Sequence, residues 1–176
     1  NNDAVYVIND LLFEDYIAGI AETSNEAHME YMKAILTAAR TYGYYMQNHP
    51  STQGKVFDVV ATTADQLYLG YESELLMPRV VEATQATRGM MITFDTDANA
   101  DTPSDIIITP YFANADTRTR SWSEVWGGAA RPWLISVPPE YDKRDKKKLY
   151  GHGVGMSARD ASSSASEKGE NFEQLL

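Results

Sequence analysis

The sequence predicts an α+β domain. Helix-like and strand-like segments are mixed without a regular β-α-β alternation, 43% of the 176 residues are hydrophobic, and one long apolar stripe at helical spacing lies early in the chain. The expected architecture is a compact mixed helix and antiparallel-sheet domain. A single unit over residues 1–176 is expected, lacking its extreme C-terminal strand or helix.

Val5-Tyr6-Val7-Ile8 reads as a short strand followed by a turn at Asn9-Asp10. Phe13, Tyr16, Ile17 and Ile20 then fall at helical spacing, giving a short helix that runs into Glu22. Thr23-Ser24-Asn25-Glu26 has the form of a capping box, and Met29, Met32, Leu36, Ala39 and Tyr42 mark one apolar face, so a long helix is expected over 26–46. His49-Pro50 stops it, because proline lacks an amide donor and pushes the preceding residue out of helical geometry.

Segments 56–60 and 66–71 read as extended. Val80, Val81, Ala83, Thr84 and Thr87 form a helix that Gly89 closes. Strands are expected over 90–94 and 106–111, separated by a polar stretch, 95–104, too long for a tight hairpin and expected as a mobile surface loop. The 122–133 region is turn-rich, 133–137 reads as another strand, and 143–148 as a solvated basic loop. A glycine-rich turn at 151–155, a helix over 157–168 and a last amphipathic turn carrying Phe172, Leu175 and Leu176 complete the chain.

Composition removes several function classes. With 25 acidic against 15 basic residues the net charge is −10, which repels the polyanionic backbone of nucleic acid and suits a neutral or weakly charged polymer better. The absence of cysteine excludes disulfides, a thiol nucleophile and cysteine-based metal sites. No apolar run approaches the twenty or so residues that cross a bilayer, and no basic-plus-apolar leader precedes Val5, so a soluble domain or the mature part of a secreted one is expected. No phosphate-loop pattern is present. His28 and His49 sit at helix ends without a second ligand at metal spacing, so neither a metal nor another cofactor is expected.

Chemistry has few candidate seats. Glu22 lies where one helix hands over to the next, and partial burial of a carboxyl favours the protonated form that a general acid needs. Lys33 and Arg40 are two turns apart on one face and could form a basic stripe along the same groove. Any one of 25 acidic residues is more often a solvated surface charge. In Gly151-His152-Gly153-Val154-Gly155-Met156-Ser157 three alternating glycines let backbone approach a ligand while His152 and Ser157 project polar groups, although a structural turn explains them equally well. A hydrolytic triad of His152, Ser157 and an aspartate lacks the strand–turn–helix elbow around the serine. The methionine and tyrosine stripe between Met29 and Met46 reads as core, with any exposed tyrosines able to stack on sugar rings. The basic loop at 143–148 is a solubilising face, with weak attraction to anionic wall polymers as the sharper alternative.

Several strings together resemble the stage II sporulation protein D family of peptidoglycan lytic transglycosylases. Tyr16-Ile17-Ala18-Gly19-Ile20-Ala21-Glu22, Met29-Glu30-Tyr31-Met32-Lys33-Ala34 and Ala38-Ala39-Arg40-Thr41-Tyr42 resemble its first block in unbroken register. Asp65-Gln66-Leu67-Tyr68-Leu69-Gly70, Thr87-Arg88-Gly89, Tyr111-Phe112, Trp126, Pro132-Trp133-Leu134-Ile135-Ser136-Val137 and the glycine string ending at Ser157 follow in the family's order. Ile35, Asn114-Ala115-Asp116 and Ala158-Arg159-Asp160 depart from its pattern, and the stretch between Val137 and Gly151 is short.

The resemblance implies a long N-terminal helix lining a glycan groove, with Glu22 as general acid and base. Lys33, Arg40, Gln66, Tyr68, Tyr111, His152, Met156 and Ser157 would contact substrate. It implies cleavage of the bond between N-acetylmuramic acid and N-acetylglucosamine to give 1,6-anhydro ends, with no metal or cofactor. The implied partners are peptidoglycan glycan strands, intact or already stripped of stem peptides, and a cell-wall amidase; the implied location is extracytoplasmic. Two rivals are a non-catalytic wall-binding protein that stimulates an amidase, and a glycan hydrolase using a second carboxylate such as Glu26 or Asp58.

Overall fold

The computed structural model of the chain describes residues 5–49, 56–95 and 104–176. Helix α2 (Met29–Asn48) is the central element. Its Met32, Ile35, Leu36 and Ala39 are fully buried against Ile17 of α1 (Phe13–Ala18), Val80 and Ala83 of α4 (Pro78–Ala86), and Ala161 and Ala165 of α7 (Ala158–Lys168). Burying a side chain of that size stabilises the fold by about 1.5–3 kcal/mol, so this single stripe dominates the core. A smaller cluster, Ile108, Leu134 and Val154, is flanked by Tyr42, Tyr45, Trp122 and Trp133.

The fold is α+β, with helices around two very short sheets among the described residues. Strands β1 (Thr93–Phe94) and β2 (Asp105–Ile106) pair antiparallel. Strands β3 (Tyr111–Phe112) and β4 (Met156–Ser157) pair parallel, so the antiparallel pairing expected is found at β1–β2 and not here. The strand expected over 106–111 is divided between these two sheets. Pro110 lies at the break, where it has no amide to donate to a ladder, and its carbonyl instead accepts from Met156 N–H at 3.2 Å. Most of the expected loop, 96–103, lies outside the described residues.

Other differences have local causes. No strand forms at 5–8: Val5 and Val7 are each 93% exposed, and so short a segment without a partner cannot hold a ladder. Helix α1 stops at Ala18, short of Glu22, because Ile20 leaves the helix to bridge Tyr68. Helix α2 begins at Met29, three residues later than expected, and its N-cap His28 makes no side-chain capping bond. The supposed capping segment is committed elsewhere: Asn25 Oδ1 accepts from Arg79 N–H (2.9 Å) in the first turn of α4, and Arg79 Nη1 donates to Asn25 O (2.7 Å).

Tyr71 opens a short helix, α3 (Tyr71–Leu76), rather than ending an extended run, and 133–137 is irregular, tied to Thr119 and Trp122 by single backbone bonds. A further helix, α5 (Trp122–Trp126), carries a Ser121/Glu124 capping box inside the segment read as turns. Helix α6 (Glu140–Arg144) begins the basic segment, whose residues 143–148 are exposed as expected. Helix α7 begins one residue after Ser157, its N-cap, and α8 (Phe172–Leu175) packs against α2 near the end of the chain.

Candidate active site

Glu22 sits half-buried in the turn between α1 and α2. The Ile20–Tyr68 bridge, closed by Ala21 N–H to Leu67 O (2.9 Å) and Leu69 N–H to Gly19 O (3.0 Å), lays segment 66–69 alongside this turn. Leu67 N–H therefore donates to Glu22 Oε1 at 2.9 Å and fixes the carboxyl's orientation. Among the described residues no lysine or arginine forms an ion pair with it.

Gln66, fully buried, organises the surroundings. Its Oε1 accepts from Tyr16 Oη (2.9 Å), and its Nε2 donates to Ala39 O (3.0 Å) and Tyr111 Oη (3.0 Å). Tyr16 stacks on Tyr68 with ring centroids 5.5 Å apart. Gly19 is required beneath that stack, because a Cβ there would lie 2.4 Å from Tyr68 Cε2. Burial, and then the nearby Glu22 carboxylate, push the Tyr31 phenol up to about 12; burial, with a smaller push from Glu22, also raises Tyr16 and Tyr111 well above the ordinary range. Glu22 thus faces a neutral, phenol-lined neighbourhood.

Tyr111 connects this neighbourhood to the glycine turn. It pairs with Met156, and the adjacent Phe112 packs on His152 with ring centroids 5.7 Å apart. Trp126 covers His152 from another direction, at 4.9 Å. His152 Nδ1 accepts from Val154 N–H (3.0 Å), which puts the proton of the neutral ring on Nε2, and burial holds the imidazole below its ordinary value. Gly155 lets the turn press against Pro110: at φ +80° its hypothetical Cβ would be 1.9 Å from the Pro110 carbonyl oxygen.

The structure therefore brings Glu22, Gln66, Tyr68 and Tyr111 together, with Met156 and His152 adjoining through β3. Gln66 supports the site from within the core and has no exposed surface. Met156 packs against the main core. Ser157 is buried, donates to Asp142 Oδ2 (2.6 Å) and caps α7; the imagined triad is not assembled, because its hydroxyl faces a carboxylate and not His152.

Arg40 does not line a basic stripe. It is fully buried and spends its guanidinium on Glu14 of α1 (Nη2–Oε2 3.0 Å), Thr84 O (3.0 Å) and Thr87 Oγ1 (3.3 Å), because three helices meet there and leave it no route to solvent. Lys33 pairs with Glu30 at 2.6 Å and lies over the Phe172 ring. Sequence reasoning did not single out the Leu67 amide, which carries no side-chain signal, or Asp142, one aspartate among many until the fold buries it. Tyr16 and Tyr31 stood inside the quoted motifs and could have been found by their spacing from Glu22.

The clefts among the described residues include an aromatic one beside Tyr16 and Tyr68, a second between the β1–β2 pair and α7, and a hydroxyl-rich third lined by Thr23, Tyr31 and Ser162. Glu22 lines none of the three but lies between the first and third, one residue from Thr23 and bonded to the residue before Tyr68. No cluster of three or more histidine and acidic side chains that could hold a metal occurs among the described residues.

The α+β chain holds the Glu22 carboxyl by a backbone amide at an interhelical turn. The family model for the stage II sporulation protein, SpoIID, matches residues 1–94, more than half of the chain and all of α1 to α4, and the chain belongs to that family. The family is associated with sporulation and the cell wall. An uncharacterized protein of Brachyspira hyodysenteriae is 33% identical over 140 residues, a match that takes in 77% of this chain and so extends past residue 94. The chain spans only 34% of that relative's length.

Proposed function

We propose that the protein is a peptidoglycan lytic transglycosylase with Glu22 as its acid and base. The observation that carries this reading is the half-buried carboxyl with one oxygen held by Leu67 N–H and, among the described residues, no protein hydrogen bond to the other. Hydrolytic glycosidases need two carboxylates across the scissile bond, whereas a transglycosylase needs one, because the sugar supplies its own nucleophile.

Glu22 in its acid form donates a proton to the oxygen linking N-acetylmuramic acid to N-acetylglucosamine as that bond breaks. The resulting carboxylate takes the proton from the muramyl C6 hydroxyl as that oxygen closes on C1, so the proton balance returns to its start and no water is consumed. Neutral phenols around the carboxyl supply hydrogen-bonding and stacking surfaces for a sugar ring.

Mass spectrometry of digested wall glycan tests the proposal. Anhydro-muramyl ends are expected, reducing ends would mean hydrolysis, and absence of fragments would mean binding alone. Glu22→Gln keeps the Leu67 contact but has no proton to shuttle, so it should lower turnover about a hundred- to ten-thousand-fold with little change in thermal stability. Undiminished turnover would remove Glu22 from the mechanism.

A further inference from the structure

Helix α3 shows solvent the side that a surface helix ordinarily buries. Tyr71 and Leu75, like Glu72 and Leu76, stand one turn apart on its outer face, where Tyr71, Leu75 and Leu76 are 68%, 65% and 70% exposed. Its inner face carries Ser73, buried with a hydroxyl that has no partner among the described residues, and leads to Met77, which packs on the main core. Leu69, also exposed, extends the apolar surface ahead of the helix. Carboxylates border this surface, Glu72 and Glu74 on α3 and Asp15 on α1. Burial, and then the Asp15 charge, raise the Glu74 carboxyl above its ordinary value, so the two helices bring like charges together. Among the described residues none of these three carboxylates forms an ion pair.

We propose that this face docks a basic amphipathic helix of a partner protein, whose apolar side covers Tyr71, Leu75 and Leu76 and whose lysines or arginines meet Asp15, Glu72 and Glu74. The apolar exposure calls for a cover, and charge selects it. A second copy related by a two-fold axis would set Glu72 and Glu74 against their own counterparts, and an anionic bilayer would meet the same carboxylates, so neither fits. A helix with apolar residues at i, i+3, i+4 and i+7 and cations beside them complements both the leucines and the acids. Gly70, the N-cap of α3, joins this face to segment 66–69, whose Leu67 amide holds Glu22. The docked helix therefore lies beside the candidate active site without entering it.

Fluorescence anisotropy of a labelled leucine–lysine peptide of about fifteen residues, patterned as an amphipathic helix, tests the docking against the full chain. The peptide should bind, and Leu75→Ser with Leu76→Ser, at exposed positions that the core does not need, should weaken it about ten-fold. Glu72→Gln with Glu74→Gln should weaken it about three- to ten-fold and flatten its salt dependence. Glu173→Gln, exposed and on α8, should leave it unchanged. A leucine–glutamate peptide of the same pattern should not bind. Failure of the leucine–lysine peptide to bind overturns the proposal. So does binding that ignores the Leu75 and Leu76 changes, or that a serine–lysine peptide matches, since charge alone would then account for it. Self-association of the chain that the two leucine changes relieve would assign the face to a second copy, and sedimentation with phosphatidylglycerol vesicles that the same changes abolish would assign it to a membrane; either result overturns the proposal.

Discussion

Gln66 has no exposed surface, yet it determines where three groups around Glu22 stand. Truncation to alanine would strand the Tyr16 hydroxyl and remove a donor from both Tyr111 Oη and Ala39 O around a fully buried position. Gln66→Ala should cost about 2–4 kcal/mol in urea denaturation. His152 gives a pH signature at the same scale. Its imidazole is held below the ordinary value of 6.5 because burial disfavours the cation, and Nδ1 must stay unprotonated to accept from Val154 N–H. Below about pH 6.5 the unfolded chain takes up a proton that the folded chain resists, so the unfolded state binds more protons and stability falls. The stabilisation is therefore complete above that pH and drains away as pH drops through 6.5 toward the folded value. Thermal melts between pH 7.5 and 5 should show a loss that is smaller in His152→Gln; an identical loss in both proteins would assign it to other groups.

At the scale of elements, α6 and α7 are clasped by carboxylates working in both directions. Asp160, in the first turn of α7, accepts from the amides of Tyr141 (2.6 Å) and Asp142 (3.0 Å) at the start of α6. Asp142 in turn accepts from Ser157 Oγ, Ala115 N–H (2.7 Å) and Arg159 Nη1 (3.0 Å). Ser157→Ala removes a helix cap and one partner of a fully buried carboxylate, so it should cost about 2–3 kcal/mol, read as a lowered denaturation midpoint without loss of the packing of the tyrosines around Glu22. The extent of α7 was legible from adjacent residues, whereas Ser157, expected to contact substrate, is buried as its N-cap. The same reasoning failed at Thr23–Glu26, where an equally good local pattern lost to a tertiary bond between Asn25 and Arg79. Two-residue strands such as β3 and β4 escape sequence reading for a related reason: their pairing is set by Pro110, Gly155 and distant backbone, and no alternation is long enough to register. Glu22 could be picked out because its motif surrounds it in the chain, whereas the burial of Arg40 depends on Glu14, Thr84 and Thr87 converging from two other helices.

The whole molecule carries ten excess negative charges, and the described aromatic cleft adds aspartates and no cation to that field. The basic segment at 143–148 opposes it only weakly. Arg144 is already paired with Glu167 (2.7 Å) and Asp145 (2.8 Å), leaving Lys143, Lys146, Lys147 and Lys148 exposed on that stretch. A substrate whose muramyl rings carry carboxylates must therefore approach against like charge, and surface charges farther apart than the Debye length stop interacting. That length shrinks from roughly 30 Å at 0.01 M to about 8 Å at 0.15 M salt. Initial cleavage rates on carboxylate-bearing glycan at low substrate should rise across that interval, because the encounter term of kcat/KM is relieved of repulsion. Binding of an uncharged N-acetylglucosamine oligomer should stay flat over the same interval, since it has no charge to screen. The opposite slope, a rate that falls with salt and falls less after Lys146, Lys147 and Lys148 are changed to glutamine, would mean that the lysine segment steers the anionic polymer and outweighs the acidic body of the domain.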